Sequence, residues 1–362
     1  MSADRPVRND GEAAPLVLIT GSSGLIGSRL IKVFTPHWTV VGLDQQRPKT
    51  PSAVDFVQCD LTQDDSVAQS LRTIRERHGA KIASVIHLAA YYDFSGEPSP
   101  LYDSLTVQGT RRLLQHLQQF EVEQFVFSSS LLVMKPAERE ELLNESSPTE
   151  ETWDYPRSKL QAEEIMRRDR GRIPVLVLRI AGVYDEDGHS VPIGQQIRRI
   201  SEKQIESYFF PGDAETGQAF VHLDDLADCF RLAVERRGSL APYEMLLIAE
   251  PDVMTYAELQ DMIGEILHGK EWPTIRIPKV LAKAGAWVQG HLADADEGTF
   301  IKPWMVDLAD AHYPVDISRA RASLGWEPRH RLRSTIPEIL NRLKQNPKRW
   351  YQTHGYPTDD LK

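Results

Sequence analysis

The stretch that most limits how this chain can fold is an apolar run, Leu16–Thr20, that breaks into Gly21-Ser22-Ser23-Gly24-Leu25-Ile26-Gly27 and then continues helix-like to Phe34. So tight a turn between strand and helix needs glycine, which takes positive φ without strain and lets backbones approach closely. The N–H groups that open the following helix have no partner inside it, and with the helix dipole they attract an anion. A second apolar run at 39–43 closes on Asp44. That is near the ~20-residue spacing at which an acid accepts from the ribose hydroxyls of a dinucleotide. Flanks, spacing and acid together point to a dinucleotide rather than an ordinary turn. A carboxylate there repels a 2′-phosphate, so NAD is expected over NADP; nearby Arg47 argues the other way, since a guanidinium pairs with phosphate.

Apolar runs at 16–20, 39–43, 55–58, 84–88, 124–128 and 175–178 alternate with helical patterns at 25–34, 64–77, 105–120 and 158–168. The runs are short, rich in Val, Ile and Leu, and apolar on both faces, as buried parallel strands are. This order predicts an α/β fold: a Rossmann doubly wound parallel sheet with a smaller, mainly helical C-terminal substrate lobe. The expected division is a flexible leader at 1–14 and a dinucleotide domain at 15–184 to which 218–250 returns. The substrate lobe takes 185–217 and 251–344, and a tail with no assigned function takes 345–362. Within the lobe, helices are expected at 193–206, 255–268, 278–289 and 317–324, with a strand-to-helix unit at 219–237 and one more strand at 246–248.

The chain has 362 residues and a formal net charge of -10. An acidic surface repels phosphate backbones, so no nucleic-acid partner is expected. The two cysteines, Cys59 and Cys229, form neither a disulfide framework nor a metal-ligand spacing. No apolar run approaches the ~20 residues that span a bilayer, and the polar first residues lack a signal-peptide core. A cytoplasmic protein with no membrane partner is expected.

Tyr155-Pro156-Arg157-Ser158-Lys159 places Tyr155 and Lys159 four apart, on one face of a helix. An ammonium beside a phenol favours its ionised form and makes it a usable acid and base. Alone, the pair is surface decoration as readily as chemistry. The strand at 124–128, however, runs into Ser128-Ser129-Ser130 at the sheet edge where open α/β sheets bind ligands. Asp60, after the third strand, either faces the adenine or, like Asp64, caps a helix.

These features together resemble the extended short-chain dehydrogenase/reductase superfamily, the NAD-dependent epimerase/dehydratase group. The resemblance is carried by Gly21-x-x-Gly24-x-x-Gly27, His87-Leu88-Ala89-Ala90, Ser128-Ser129-Ser130 and Tyr155-x-x-x-Lys159. It continues through Leu178-Arg179-x-x-Gly182-Val183-Tyr184, the run from Phe220 to Asp228, and Asp316-x-x-Arg319 through Leu324-Gly325-Trp326-x-Pro328. It implies Tyr155 as acid/base, Lys159 holding the nicotinamide ribose and lowering the tyrosine pKa, and Ser130 polarising the substrate oxygen. The cofactor would lie on Gly21, Ser23, Gly24, Leu25, Ile26, Gly27, Asp44, Arg47, Asp60, Leu61, Leu88, Ala89, Ala90, Tyr155 and Lys159. His87 and His222 fall at structural motif positions, so no metal is implied. A homodimer through the helices at 105–120 and 158–168 is a further expectation.

The departures narrow the substrate. Members acting on nucleotide-sugars carry Asn at the position of Gly182 and a phosphate-binding Arg at that of Gln218, and each charge-assisted hydrogen bond so lost is worth about 1.5–3 kcal/mol. The pattern from Arg179 to Tyr184 is closer to the 3β-hydroxysteroid dehydrogenase and dihydroflavonol reductase branches. Leu131-Leu132 stands where sugar 4,6-dehydratases have Asp-Glu, and Thr106 where Asn is common. The leading expectation is an NAD-dependent oxidoreductase of a secondary alcohol or ketone. The alternatives are a sugar epimerase without net redox change and a non-catalytic NAD-binding regulator. Tyr91, Tyr92, Phe94, Tyr208 and Phe209 are candidates to line a pocket for an apolar ring or sugar face.

Overall fold

A computed structural model describes residues 14–48, 54–93, 96–138, 140–283 and 303–358. Seven parallel strands form the central sheet: β1 Leu16–Thr20, β2 Thr39–Asp44, β3 Asp55–Gln58, β4 Ser84–His87, β5 Phe125–Ser130, β6 Val175–Ile180 and β7 Tyr243–Ile248. Their order is β7-β6-β5-β4-β1-β2-β3, so the chain reverses direction across the sheet between β1 and β4. Ligands of open α/β sheets bind at that crevice. The strands are apolar on both faces because helices cover both. On one side α1 (Leu25–Phe34) packs with α6 (Leu223–Glu235) over Val17, Ile19, Val126 and Leu178. On the other, α2 (Asp64–His78), α3 (Gln108–Leu117) and α4 (Asp154–Asp169) bury Leu18, Val41, Val85, Phe125 and Phe127.

The expected elements are present, with shifted ends. β5 runs through all three serines, because their hydroxyls find partners that let the strand continue. The helix expected at 105–120 opens with a π-helical turn, Tyr102–Val107. The helix at 193–206 is α5, Val191–Ser201, followed after Lys203 (φ 53°) by a 3₁₀ turn, Ile205–Tyr208. The strand at 246–248 is the end of β7, paired along its whole length with β6. The leader, except Ala14, lies outside the described residues, as do Phe94 and the second half of the helix expected at 278–289. Among the described residues no helix is long and apolar enough to cross a membrane.

A third cluster forms the C-terminal lobe, from Tyr184, α5, α7 (Tyr256–His268) and α8 (Leu332–Gln345). The residues beyond Gln345 join it: α9, Pro347–Thr353, sinks Trp350 and Tyr351 to 4% and 2% exposure. The motif around Asp225 explains itself here. Its carboxylate accepts from the N–H groups of Arg329 (2.9 Å) and His330 (2.8 Å), and its carbonyl from Trp326 Nε1 (2.8 Å), tying the late segment onto α6.

Candidate active site

The glycine turn sits at the crevice. Gly21 has φ +69°, and a Cβ there would lie 2.9 Å from Ala89 N, so the turn touches the loop after β4 backbone to backbone. A Cβ on Gly27 would come within 2.3 Å of the Gly21 carbonyl oxygen, so α1 can pack on the turn only if this position is glycine. Gly24, by contrast, faces outward at the start of α1, whose first turn carries no acidic residue to neutralise its positive end. Asp44, at the end of β2, accepts from Ser23 N–H (Oδ2, 3.0 Å) and Gln46 N–H (Oδ1, 3.0 Å), which fixes the carboxylate beside the turn. Ser23 Oγ donates to the Gln46 carbonyl at 2.6 Å. An anion cradle beside an oriented carboxylate fits a pyrophosphate and a ribose.

The other residues expected to touch the cofactor divide by placement. Leu88 and Ala89 hang from Thr20: Leu88 N–H donates to its carbonyl (3.2 Å) and Ala89 N–H to its hydroxyl (3.2 Å). Both border the turn at Gly21, and Ala90 follows them in the chain. Arg47 lies over the Phe56 ring, 5.7 Å from its centroid. Asp60 turns its Oδ1 to Thr62 N–H (2.9 Å) and hydroxyl (2.7 Å), organising the approach to α2. It also borders a cleft of about 320 Å³ with Gln45 and Gln58. The Leu61 side chain is buried in the core, 4% exposed, and its carbonyl accepts from Arg112.

Under the crevice runs a chain of hydrogen bonds whose direction can be read. Thr110 Oγ1 must donate to the Thr106 carbonyl at 2.6 Å, so it accepts from His87 Nε2 at 2.9 Å, and Nδ1 of the neutral ring is left to accept the Thr20 Oγ1 proton at 2.7 Å. Burial first, and Lys159 second, push the His87 pKa down to about 3, so it is neutral, as this chain requires. Thr106 Oγ1 accepts from Tyr91 N–H at 2.9 Å. That is the use of the threonine found where Asn is common: it anchors the loop carrying Tyr91 and Tyr92.

The three serines diverge. Ser128 Oγ donates to the His87 carbonyl at 3.2 Å and Ser129 Oγ to Glu163 Oε1 at 2.5 Å, so both are spent on structure. Ser130 Oγ accepts from Leu132 N–H at 3.2 Å and hydrogen-bonds the Tyr155 phenol. Tyr155 is half-buried, with Tyr92 edge-on at 4.8 Å and Trp153 at 5.5 Å between ring centroids. Lys159, 3% exposed, donates to the Ser128 carbonyl at 2.8 Å, with its Nζ 5.0 Å from the Phe127 ring centroid and 5.7 Å from that of Tyr155.

One electrostatic expectation needs correcting. The resemblance implies a lysine that lowers the tyrosine pKa, but here burial pushes Tyr155 up to about 12, opposed by the Ser130 hydrogen bond. The reason is that Lys159 is itself drawn down to about 7 by burial, partly restored by Glu163, and its head points at a carbonyl rather than the phenol oxygen. The phenol is therefore protonated at neutral pH and stands ready as a proton donor.

Of the candidate pocket residues, Tyr92 faces Tyr155, while Tyr91 packs edge-on to Tyr102 at 4.8 Å. Tyr208 stacks on Trp272 at 4.8 Å in the lobe, and Phe209 is half-exposed. At Gly182 a Cβ would lie 2.8 Å from the Phe220 ring, so an asparagine side chain has no room there. Sequence reasoning missed Glu163 and Thr110. Glu163 was readable as the next residue on the Tyr155–Lys159 face.

The sequence profile of the NAD dependent epimerase/dehydratase family matches residues 17–249. A sterol-4-alpha-carboxylate 3-dehydrogenase (decarboxylating) of Candida albicans is 27% identical over 247 residues, 62% of this chain and 66% of that protein. A putative UDP-glucose 4-epimerase of Methanocaldococcus jannaschii is 24% identical over 346 residues, 91% of this chain and 99% of that protein. Among solved structures, MoeE5 in complex with UDP-glucose and NAD shares the fold with a TM-score of 0.68 at 22% identity, covering 92% of this chain and 99% of that one.

Proposed function

The chain belongs to the NAD dependent epimerase/dehydratase family, and on that premise we propose that it is an NAD-dependent oxidoreductase of a secondary alcohol or ketone. The observation that carries this reading is that Ser130, Tyr155 and Lys159 stand together at the carboxyl edge of β5, with Lys159 Nζ 5.7 Å from the Tyr155 ring centroid, beside the glycine turn. The first three N–H groups of α1 would hold the pyrophosphate, Asp44 the adenosine ribose, and Lys159 the ribose at the reactive end. Bound NAD would supply the hydride acceptor or donor for the carbon bearing oxygen. Tyr155 gives its phenolic proton to that oxygen in reduction and receives it in oxidation. Ser130, whose oxygen already accepts from Leu132 N–H, directs its own proton at the same oxygen. Geometry of this kind is worth about 10²–10⁴ in rate through proton transfer.

A nucleoside diphosphate is disfavoured as substrate by Gln218 in place of a guanidinium and by the closed space at Gly182. The relationship to the sterol-4-alpha-carboxylate 3-dehydrogenase runs the same way, toward a ring-bearing alcohol that carries no nucleotide. A second reading, epimerisation of a sugar without net redox change, has the relationship to the putative UDP-glucose 4-epimerase in its favour. Both readings take the protein as a cytoplasmic homodimer, with α3 and α4 as the pairing surface and sedimentation velocity as the check. One assay separates the chemistries. Oxidoreduction with NAD and a panel of sterols, cyclic ketones and sugars raises or lowers absorbance at the reduced-nicotinamide band, whereas an epimerase converts substrate with no net change. Conversion of a nucleotide-sugar at constant absorbance would overturn the oxidoreductase reading.

A further inference from the structure

Arg179 lies in mid-sheet on β6, opposite Ser129 on β5, where a guanidinium is costly to bury without a counter-charge. Its partner is Glu163 of α4: Nε donates to Oε1 at 3.1 Å and Nη2 to Oε2 at 2.8 Å, with both side chains at most 5% exposed. Ser129 Oγ adds a 2.5 Å hydrogen bond to Oε1, and Arg179 Nη1 rests 2.8 Å from Met134 Sδ. A well-packed apolar pair would fill this space at no loss of stability. What the ion pair adds is direction and charge. It ties one point of α4 to two neighbouring strands, and it sets a carboxylate one helical turn from Lys159 on the same buried face.

We propose that Glu163, clamped by Arg179 and Ser129, is a positioning residue that acts through Lys159, fixing its depth against Ser128 and holding it as an ammonium toward the cofactor ribose. This rests on the role given to Lys159 above. The groups facing Lys159 are few. Glu163 and Tyr155 share its helix, His87 reaches it from β4 as a neutral ring, and Arg179 on β6 is spent on Glu163. Burial draws Lys159 down to about 7 and Glu163 opposes that pull. With the carboxylate gone, only the Ser128 carbonyl and the Phe127 ring still favour the ammonium, and the lysine loses its proton at lower pH.

The test reads Lys159 directly. The full chain, labelled with ¹³C at lysine Cε and without added NAD, is titrated by NMR, and the Lys159 signal is assigned by its loss in Lys159→Met. We expect a midpoint near 7 in the wild type, and in Glu163→Gln a midpoint lower by about one unit or more. The alkaline limb of kcat should move with it. Should Glu163→Gln fail to fold, Glu163→Gln with Arg179→Met removes both buried charges and is expected to show a smaller shift in the same direction, because the more distant Arg179 cation goes with the carboxylate. An unmoved midpoint in either folded variant overturns the proposal. The catalytic reading fails separately: turnover persisting in Tyr155→Phe would sink it while leaving a shifted Lys159 midpoint, and hence the coupling to Glu163, intact.

Discussion

Around the carboxyl ends of β4, β5 and β6, the buried polar side chains are held in fixed roles. His87 is bonded on both nitrogens, Lys159 reaches one carbonyl, and Glu163 accepts from Arg179 and Ser129. The C-terminal lobe handles its surface differently. Ile205 is 70% exposed and Ile275 53%, and Phe209, paired in register with Ile275, is 42% exposed. Charged neighbours such as Arg276, Asp213 and Glu215 meet only at that surface, where ion pairs contribute little. On the reading proposed above, one region is pre-organised for a fixed proton transfer, and the other leaves apolar surface open to the molecule transformed. If that division is right, substitutions in the first should strike rate and folding, and those in the second affinity.

The largest effect is expected from Tyr155→Phe. The ring keeps its contacts with Tyr92 and Trp153, so the fold and NAD affinity should change little, while kcat falls about 10²–10⁴-fold. Steady-state kinetics alongside a fluorescence titration with NAD would check it. A comparable loss of NAD binding would mean that the phenol serves the cofactor site rather than the reaction.

The seam between the regions should carry a pH signature. Glu250, 2% exposed at the end of β7, accepts from Tyr184 OH (2.6 Å) and from Leu332 N–H at the start of α8 (2.8 Å). Burial raises its pKa from 4.5 to about 7, against the hydrogen bonds that lower it. The folded state therefore binds the proton more tightly than the unfolded one. Its contribution is full below about pH 4.5 and is lost as pH rises toward 7. At about 1.4 kcal/mol per unit, the change is roughly 3 kcal/mol. Denaturant unfolding at pH 5 and pH 8 should show Glu250→Gln losing less stability over that interval than the wild type. Equal slopes would show that Glu250 does not govern the seam.

Glycines sharpen the same contrast. Gly27→Ala sets a Cβ against backbone at 2.3 Å, and should cost about 1–3 kcal/mol and most of the NAD affinity. In α5 of the lobe, a Cβ at Gly194 meets only the ends of Tyr356 and His354 at 3.0–3.1 Å. These are side-chain atoms at longer range rather than backbone, so Gly194→Ala should cost less than Gly27→Ala. Thermal denaturation of the pair decides it; equal losses would say that the lobe is as tightly determined as the turn.

What could be read from the sequence follows the same line. The turn, Asp44 and the Tyr155–Lys159 pair were legible because their physics is local: glycine at positive φ, a carboxylate ending a strand, two side chains one helical turn apart. Ser130 was singled out by resemblance, and its role became physical only when Ser128 and Ser129 were seen to be engaged elsewhere. Thr20 and Thr110 were not legible, because their partner His87 lies 67 and 23 residues away and only the sheet brings them together; Glu163 could be placed on its helix face, but not its bonds to Ser129 and Arg179. The docking of Trp350 and Tyr351 was missed for a similar reason. Two aromatics in a polar tail carry no periodicity to announce that they fill the third core.

The smallest effect expected is also the one that tests where the boundary runs. Tyr92 lies in the loop held by Thr106, with its ring edge against Tyr155 and 49% of its surface exposed, so it stands at the solvent-facing edge of the first region. An aromatic contact of this kind is worth about 0.5–1.5 kcal/mol beyond area. If Tyr92 offers its open face to the substrate ring, Tyr92→Ala should raise KM by roughly three- to tenfold and leave kcat within about twofold. Trp153 and Ser130 still hold the phenol in that variant. A fall in kcat as large as the rise in KM would instead make Tyr92 part of the brace on Tyr155. The pre-organised region would then extend one residue further toward the solvent than drawn above, with recognition of the substrate beginning beyond it.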